Sequence, residues 1–255
     1  MPLSPCHISP DADILSRMAA INARLSVLHA IEGLDVSRCA EYAAAWSALR
    51  PHLRPAKTLL DIGSYRSPWP HIAASLGAKC FALDPDWAVS RQAYWARHAE
   101  GAARVVPVVA DGRSLPLANE SVDFASAIST LEHIPADGDT AVIAGLRRVV
   151  RQDGFVFVTV PYSQTPKEGR WRRWFQRWYN EDWFQQRLIH EPGLAVVSDG
   201  YLLGGALGRF ADRWYRLPAY LRHCLSWSHV LLARRADLTG RPGDARVRWA
   251  LLRPA

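Results

Sequence analysis

Acidic residues follow several short apolar runs of the sequence, where the strands of a parallel sheet are expected to end. Asp61 lies near the end of the first run and is followed by Gly63, Asp84 ends the second, and Asp111 follows the third. In open parallel sheets, ligands bind outside the carboxyl ends of the strands. There, Asp84 can accept hydrogen bonds from both ribose hydroxyls of a nucleoside, and Asp111 from an exocyclic adenine amine. Gly63 has no Cβ, so its backbone can approach a ligand closely. Each residue alone fits a helix cap or loop equally well, but the ordered series predicts a nucleoside site.

Two polar residues after a fourth apolar run lie close to where an acceptor would bind. They are Glu132 and His133. His133 can act as a base, because the unperturbed pKa of histidine is near neutrality. We favour the alternative, a structural histidine or one beside the cofactor, and we expect Glu132 to make a structural hydrogen bond. No metal site is predicted.

Strands that alternate with helices must position these residues. Five apolar runs are predicted as strands, at 57–62, 79–84, 104–109, 122–128 and 155–160, with helices at about 69–76, 86–99 and 137–151. This alternation specifies βαβ units, which need a parallel sheet covered on both faces. Pro107 suits the edge of that sheet better than its middle. The runs 194–198 and 229–233 are candidates for two last strands.

Two helices are predicted before the first strand. Apolar residues form one helical stripe over 11–31, and a second helix spans 36–49 with Asp35 as its N-cap. We assign 1–54 to a helical extension that covers the ligand site. Three residues of the second helix either line the pocket or face solvent: Arg38, Glu41 and Tyr42.

Residues 161–226 interrupt the alternation and are predicted to form a helical acceptor-binding or lid region. The aromatic residues between Trp171 and Tyr179 have helical spacing, with arginines on the opposite face. This predicted helix is interpreted as packing on the sheet, as a lid, as a membrane-surface contact through 171–183, or as a nucleic-acid contact. The domain is expected to end at 235, and the tail 236–255 to be disordered.

The order of these motifs resembles class I methyltransferases that use S-adenosylmethionine, in particular the group called type 11. The matching segments are 59–63, 81–84, 110–117, 121–125, 131–134 and 149–155. The resemblance implies a Rossmann-like, doubly wound α/β fold, with a mostly parallel seven-stranded sheet whose last strand is antiparallel. It also implies S-adenosylmethionine as methyl donor. The implied cofactor-binding residues are Asp61, Gly63, Ser64, Tyr65, Asp84, Asp111, Gly112 and Ser129.

Tyr65 departs from the pattern of that family, which usually has a second glycine at this position. If the backbone of Tyr65 needs a positive φ, the residue is strained by about 1 kcal/mol or more. If it does not, the side chain only shapes the pocket.

Composition limits the classes of function. The chain has 255 residues and is 49% hydrophobic, which is enough for a substantial core and excludes global disorder. We find neither a membrane-spanning run nor a secretory signal, and the four dispersed cysteines indicate free thiols in a reducing compartment. We therefore expect a cytoplasmic protein, with contact to the inner face of a membrane left open.

The acceptor cannot be read from these motifs, because acceptor contacts come from variable loops. We predict methyl transfer to a small-molecule, glycan or lipid-linked acceptor. The net charge of +7 keeps a second hypothesis open, a non-catalytic nucleic-acid-binding protein on an α/β scaffold. A nicotinamide dehydrogenase is set aside, because the turn after Gly63 lacks the G-x-G-x-x-G fingerprint.

Overall fold

A seven-stranded sheet forms the centre of the computed structural model, which describes Ile14, 35–96, 104–171, 174–190, 192–214, Leu217, Leu232 and 237–255. Its strands are β1 (Thr58–Ile62), β2 (Lys79–Asp84), β3 (Val105–Val109), β4 (Val122–Ile128), β5 (Val150–Pro161), β8 (Leu194–Leu202) and β9 (Val247–Pro254). A separate hairpin contains β6 (Lys167–Trp171) and β7 (Trp174–Trp178). The order across the sheet is β3-β2-β1-β4-β5-β9-β8, and β9 runs antiparallel to both of its neighbours.

The strand order reverses between β1 and β4. The chain passes outward from β1 through β2 to β3 and then returns to β4 on the other side of β1. Such a reversal opens a crevice at the carboxyl ends of the two central strands. The five predicted strands are confirmed, and Pro107 lies in β3 at the edge of the sheet.

Helices cover both faces of the sheet. They are α1 (Val36–Leu49), α2 (Trp69–Ala74), α3 (Arg91–Ala96), α4 (Gly138–Val149), α5 (Glu181–Gln185) and α6 (Gly205–Trp214). Leu59 packs in one core with α1 and α2, whereas its neighbour Leu60 packs in the other with α4. Apart from the buried Ile14, the predicted helix over 11–31 lies outside the described residues.

The aromatic segment near Trp174 is a β-hairpin, so the predicted helix over 171–179 is wrong. Trp171 pairs with Trp174 across the turn, and Lys167 pairs with Trp178. Aromatic residues favour strands at least as well as helices, and here the strand conformation is held by contacts distant in sequence. The interpretation as an amphipathic membrane-surface helix therefore does not apply to this hairpin. No helix among the described residues is long and apolar enough to cross a bilayer.

The last strand, β9, lies in the segment that we predicted to be a disordered tail, so that prediction is wrong. Val247, Trp249 and Leu252 are buried between β5 and β8. The arginine content misled the prediction, since Arg248 is also buried and pairs with Glu181. The sheet thus extends beyond the predicted boundary at 235, and 229–233 lies outside the described residues except for Leu232.

Candidate active site

The turn after β1 is the point where the two central strands come closest. The backbone N–H groups of Gly63 and Ser64 both donate to the carbonyl of Leu83 in β2, at 2.8 and 3.1 Å. Gly63 has a φ of +72°, and a Cβ there would lie 2.2 Å from Oγ1 of Thr130, which follows β4. Only glycine satisfies both the backbone angle and this close approach. The predicted turn residue is therefore at the crevice of the sheet.

Asp61 holds this turn from inside the protein. Its carboxylate accepts hydrogen bonds from Ser126 Oγ at 2.6 Å and from Ser64 Oγ at 2.5 Å, and Asp61 is only 3% exposed. Trp69 Nε1 of α2 donates to the same Ser126 hydroxyl. Burial raises the pKa of Asp61 to about 7. The side chains of Asp61 and Ser64, both predicted to bind a cofactor, are thus engaged in positioning the loop.

Tyr65 has a φ of +29°, so it adopts the strained backbone that its family position would normally give to glycine. Its N–H donates to Asp84 Oδ2 at 3.1 Å. The buried Gln92 of α3 stabilises this loop conformation. Its Nε2 donates to the carbonyls of Ser64, Tyr65 and Ser67 at 3.4, 3.3 and 3.0 Å.

Gln92 is in turn held by His71 of α2, whose Nε2 lies 2.6 Å from Gln92 Oε1. Burial lowers the pKa of His71 to about 4, so its ring is neutral and donates through Nε2–H. Sequence reasoning missed both residues. A single glutamine and a single histidine on short helices carry no local signal for this contact.

Asp84 and Asp111 end neighbouring strands, as predicted. Asp84 is 8% exposed, and its carboxylate accepts from the N–H groups of Tyr65 and Asp86. Burial raises the pKa of Asp84, and the two amide hydrogen bonds oppose that rise. The Asp111 side chain is 44% exposed and forms a bidentate pair with Arg113, which lowers the pKa of Asp111. Gly112 follows it, packed against Ile62.

Helix α1 covers the carboxyl ends of β4 and β5. One carboxylate oxygen of the buried Glu41 accepts hydrogen bonds from Ser129 Oγ and, at 2.9 Å, from Thr159 Oγ1. The other carboxylate oxygen accepts from Arg38 Nη1 at 3.0 Å. Ser129 itself has a φ of +45° and donates its N–H to Thr159. Of the two roles considered for Glu41, pocket lining fits and a solvated face does not.

His133 and Glu132 lie side by side after β4. His133 Nδ1 is 2.9 Å from the carbonyl oxygen of Phe175 in the hairpin. A carbonyl only accepts, so Nδ1 carries the hydrogen and Nε2 of the neutral ring keeps its lone pair. That Nε2 lies 3.9 Å from Glu132 Oε1. Glu132 is 3% exposed, burial raises its pKa to about 7, and its Oε2 has no hydrogen-bond partner in the described part of the chain. The structural hydrogen bond expected for Glu132 is therefore missing at Oε2.

A buried ion-pair cluster anchors the hairpin beside His133. Arg177 contacts Asp139 of α4 and Glu168 of β6, both at 2.7 Å, and its side chain is 1% exposed. Tyr179 donates to the same Asp139 carboxylate at 2.7 Å. The helix prediction had placed Arg177 on a solvated face. Its burial fixes the strand that carries the Phe175 carbonyl, while Trp174 remains 54% exposed.

Comparison with known proteins identifies the kind of domain that carries these residues. Residues 60–158 match a sequence family described as a methyltransferase domain. No curated protein is similar enough in sequence to count as a relative.

Solved structures of the same fold cover nearly the whole chain. The [4+2]-cyclase SpnF has a TM-score of 0.66 at 16% identity, over 100% of this chain and 98% of its own. The 1,6-didemethyltoxoflavin-N1-methyltransferase of Burkholderia thailandensis, with bound 1,6-didemethyltoxoflavin and S-adenosylhomocysteine, has a TM-score of 0.56 at 17% identity. The match covers 100% of this chain and 92% of that methyltransferase. The CcbJ methyltransferase of Streptomyces caelestis has a TM-score of 0.58 at 12% identity, and the match covers 85% of this chain and 89% of CcbJ.

Because one of these structures is named as a cyclase, likeness of fold does not by itself establish methyl transfer. The assignment depends on the family match, which spans β1 to β5 and includes Gly63, Asp84, Asp111 and His133. The matched segment and the strand order together show a methyltransferase domain of Rossmann-like fold that includes residues 60–158.

Proposed function

We propose that the enzyme transfers the methyl group of S-adenosylmethionine to a small-molecule acceptor, with glycan and lipid-linked precursors as the alternatives. The observation that carries this proposal is the cover over the carboxyl ends of β4 and β5. Helix α1 and the β6–β7 hairpin both reach this edge, and Glu41 and Glu132 beneath them are almost fully buried. An enclosed polar site suits a small group better than the surface of a polymer.

The residues at the crevice fit the cofactor by the chemistry of their donors and acceptors. We infer that Asp84 accepts from the ribose hydroxyls and Asp111 from the adenine amine. The Gly63 turn, with Ser64 and Tyr65, brings backbone groups close to the cofactor, and we extend the binding site to Gly112 and Ser129. When bound, the sulfonium of S-adenosylmethionine supplies an activated methyl group.

We propose His133 as the base that removes a proton from the acceptor. Its Nδ1–H donates to the Phe175 carbonyl, which leaves the Nε2 lone pair available. An imidazolium formed there is stabilised by Glu132, whose Oε1 lies 3.9 Å away. Alignment of acceptor and methyl group by the covering elements supplies the rest of the catalysis, since positioning alone can contribute several kcal/mol.

Calorimetry with S-adenosylhomocysteine tests the cofactor assignment. Asp84→Ala removes the charged acceptor of two hydroxyls, and hydrogen bonds to a charged group contribute about 1.5–3 kcal/mol each. We expect a loss of affinity of about tenfold or more. Asp153→Ala, an exposed aspartate of β5, is the matched control and should leave the affinity unchanged. Equal affinities in the wild type and a folded Asp84→Ala variant would contradict the assignment of the second strand end.

A screen of fractionated metabolites with methyl-labelled donor tests the acceptor class. We expect label in a low-molecular-weight product and a large loss of transfer in His133→Gln. S-adenosylhomocysteine affinity in that variant should stay within about threefold of the wild type. Label recovered only in glycan or lipid fractions would favour those acceptors, and undiminished transfer by His133→Gln would remove His133 as the base.

A further inference from the structure

Glu132 is a buried carboxylate that the proposed cofactor contacts do not use. It is 3% exposed, and its Oε2 has no hydrogen-bond partner among the residues that the structure describes, whereas both carboxylate oxygens of Asp61 and of Glu41 are engaged. A buried, unpaired charged oxygen is costly, and native proteins rarely leave one without a reason. Glu132 Oε2 therefore has an unused acceptor position.

Within the described part of the chain, no cation is paired with Glu132 alone. The charged groups that act on it most are His133, Glu41 and Arg38, and its own backbone N–H also donates to its carboxylate. Arg38 is paired with Glu41 at 3.0 Å and also points toward the carbonyl of Ile128. His133 is neutral whenever its Nε2 serves as a base. In that state the carboxylates of Glu41 and Glu132 face a single guanidinium, and the excess is negative.

We propose that Glu132 binds the protonated nitrogen of a cationic acceptor, so that the enzyme methylates an amine. This inference depends on the proposed function, because it places an acceptor beside His133. A hydroxyl acceptor offers a hydrogen bond but no charge, and it leaves the buried carboxylate uncompensated. An ammonium group satisfies both the open oxygen and the missing charge.

The same pair of residues can prepare the nitrogen for attack. The ammonium donates one N–H to Glu132 Oε2, and His133 Nε2 removes another proton. The freed nitrogen lone pair forms the new bond to the methyl carbon as the carbon–sulfur bond breaks, and that electron pair remains on sulfur. The proton stays on His133 as imidazolium, next to Glu132 Oε1, until it is released to solvent.

A panel of small amines, each matched with the alcohol of the same carbon skeleton, tests this inference with methyl-labelled donor. We expect transfer to one or more amines and not to the matched alcohols. Glu132→Gln keeps the shape and removes the charge, and should raise the KM for the amine about tenfold or more. Glu120→Gln, an exposed glutamate before β4, should leave the KM unchanged.

Two further measurements separate this role from others. S-adenosylhomocysteine carries the same amino group as the donor, so a loss of its affinity in Glu132→Gln would mean that Glu132 binds the cofactor, and would overturn the inference. Without any ligand, Glu132→Gln should be more stable than the wild type at pH 8, because it removes a buried uncompensated charge. Equal or lower stability at pH 8 would contradict the open carboxylate. If Glu132→Gln does not fold, Glu132→Asp can replace it. The shorter side chain keeps the charge but holds it farther from the amine, so the KM for the amine should also rise.

The outcomes distinguish this inference from the proposed function. If S-adenosylhomocysteine binds and label appears only on oxygen, sulfur or carbon, the amine assignment is wrong and methyl transfer stands. If S-adenosylhomocysteine does not bind and no fraction is labelled, the proposed function itself is wrong.

Discussion

Replacing Gly63 with alanine tests the close approach of the β1 turn to the segment after β4. The backbone cost of a positive φ in alanine is about 1–2 kcal/mol. A Cβ at Gly63 also meets the Thr130 side chain at 2.2 Å, and Thr130 is held by hydrogen bonds to the carbonyls of Ile62 and Ile128. Overpacking of this kind costs about 1–3 kcal/mol. We expect Gly63→Ala to lower the free energy of unfolding by about 2–5 kcal/mol.

Gly193 provides a matched control for the backbone cost. Its φ is +70°, close to the +72° of Gly63, but beyond its own chain neighbours no atom of the described residues lies within 4 Å of the position where its Cβ would be. Gly193→Ala should therefore cost only about 1–2 kcal/mol. Urea denaturation of both variants measures the difference, and calorimetry with S-adenosylhomocysteine should show a loss of affinity for Gly63→Ala alone.

A relief variant makes this test more stringent. Adding Thr130→Ala to Gly63→Ala removes the two nearest atoms, Oγ1 and Cγ2, and leaves the Thr130 Cβ 2.8 Å away, so it should recover part of the lost stability. Equal destabilisation by Gly63→Ala and Gly193→Ala would refute the close approach of the Gly63 turn to Thr130. Unchanged cofactor affinity in a folded Gly63→Ala variant would refute the location of the site at this turn.

Four further predictions follow from the same geometry. Asp111→Asn should cost less than about 1.5 kcal/mol in calorimetric affinity for S-adenosylhomocysteine, and less than Asp84→Ala, because Asp111 is half exposed and already paired with Arg113. Folded Asp61 keeps its proton up to pH about 7, whereas unfolded aspartate loses it near pH about 4. The free energy of unfolding should thus fall between these values, with Asp61 contributing at most about 1.4 kcal/mol per pH unit, and urea titrations of Asp61→Asn should show a shallower fall, because Glu132 also has a raised pKa. Gln92→Leu should destabilise by about 2 kcal/mol or more, because it removes the donor of the Tyr65 and Ser67 carbonyls, and should weaken cofactor binding in the same calorimetric assay. Deleting residues 247–254 should abolish cooperative thermal unfolding, because β5 and β8 then lose their shared partner.

The strand-end acidic residues could be predicted because their signals are local. Asp84 and Asp111 each follow a short apolar run, and a parallel sheet brings the ends of such runs to one edge. The cap at Asp35 was equally visible, and its side chain accepts from the Arg38 N–H.

The errors arose where a side chain takes its partner from a distant part of the chain. The helical spacing of the aromatic residues around Trp174 also suits a hairpin, and the choice depends on Arg177, whose partners include Asp139 of α4. In β9, Arg248 is buried because Glu181 and Asp199 meet it there, so a basic residue was mistaken for a sign of disorder. The Gln92 contact to the strained loop has the same origin, since its carbonyl partners lie in a different βαβ unit.

The position of β9 imposes an order on the folding of the chain. The five strands that bear the cofactor residues, β1 to β5, come from one continuous stretch and can assemble as a nascent chain emerges. Strand β5 then presents an unpaired edge until Val247 and its neighbours arrive to pair with Pro161 and the residues before it. An open apolar edge is a template for association with other chains. Aggregation during synthesis should therefore respond to substitutions in β9 more than to substitutions of equal cost in β2, even though β9 carries none of the cofactor residues.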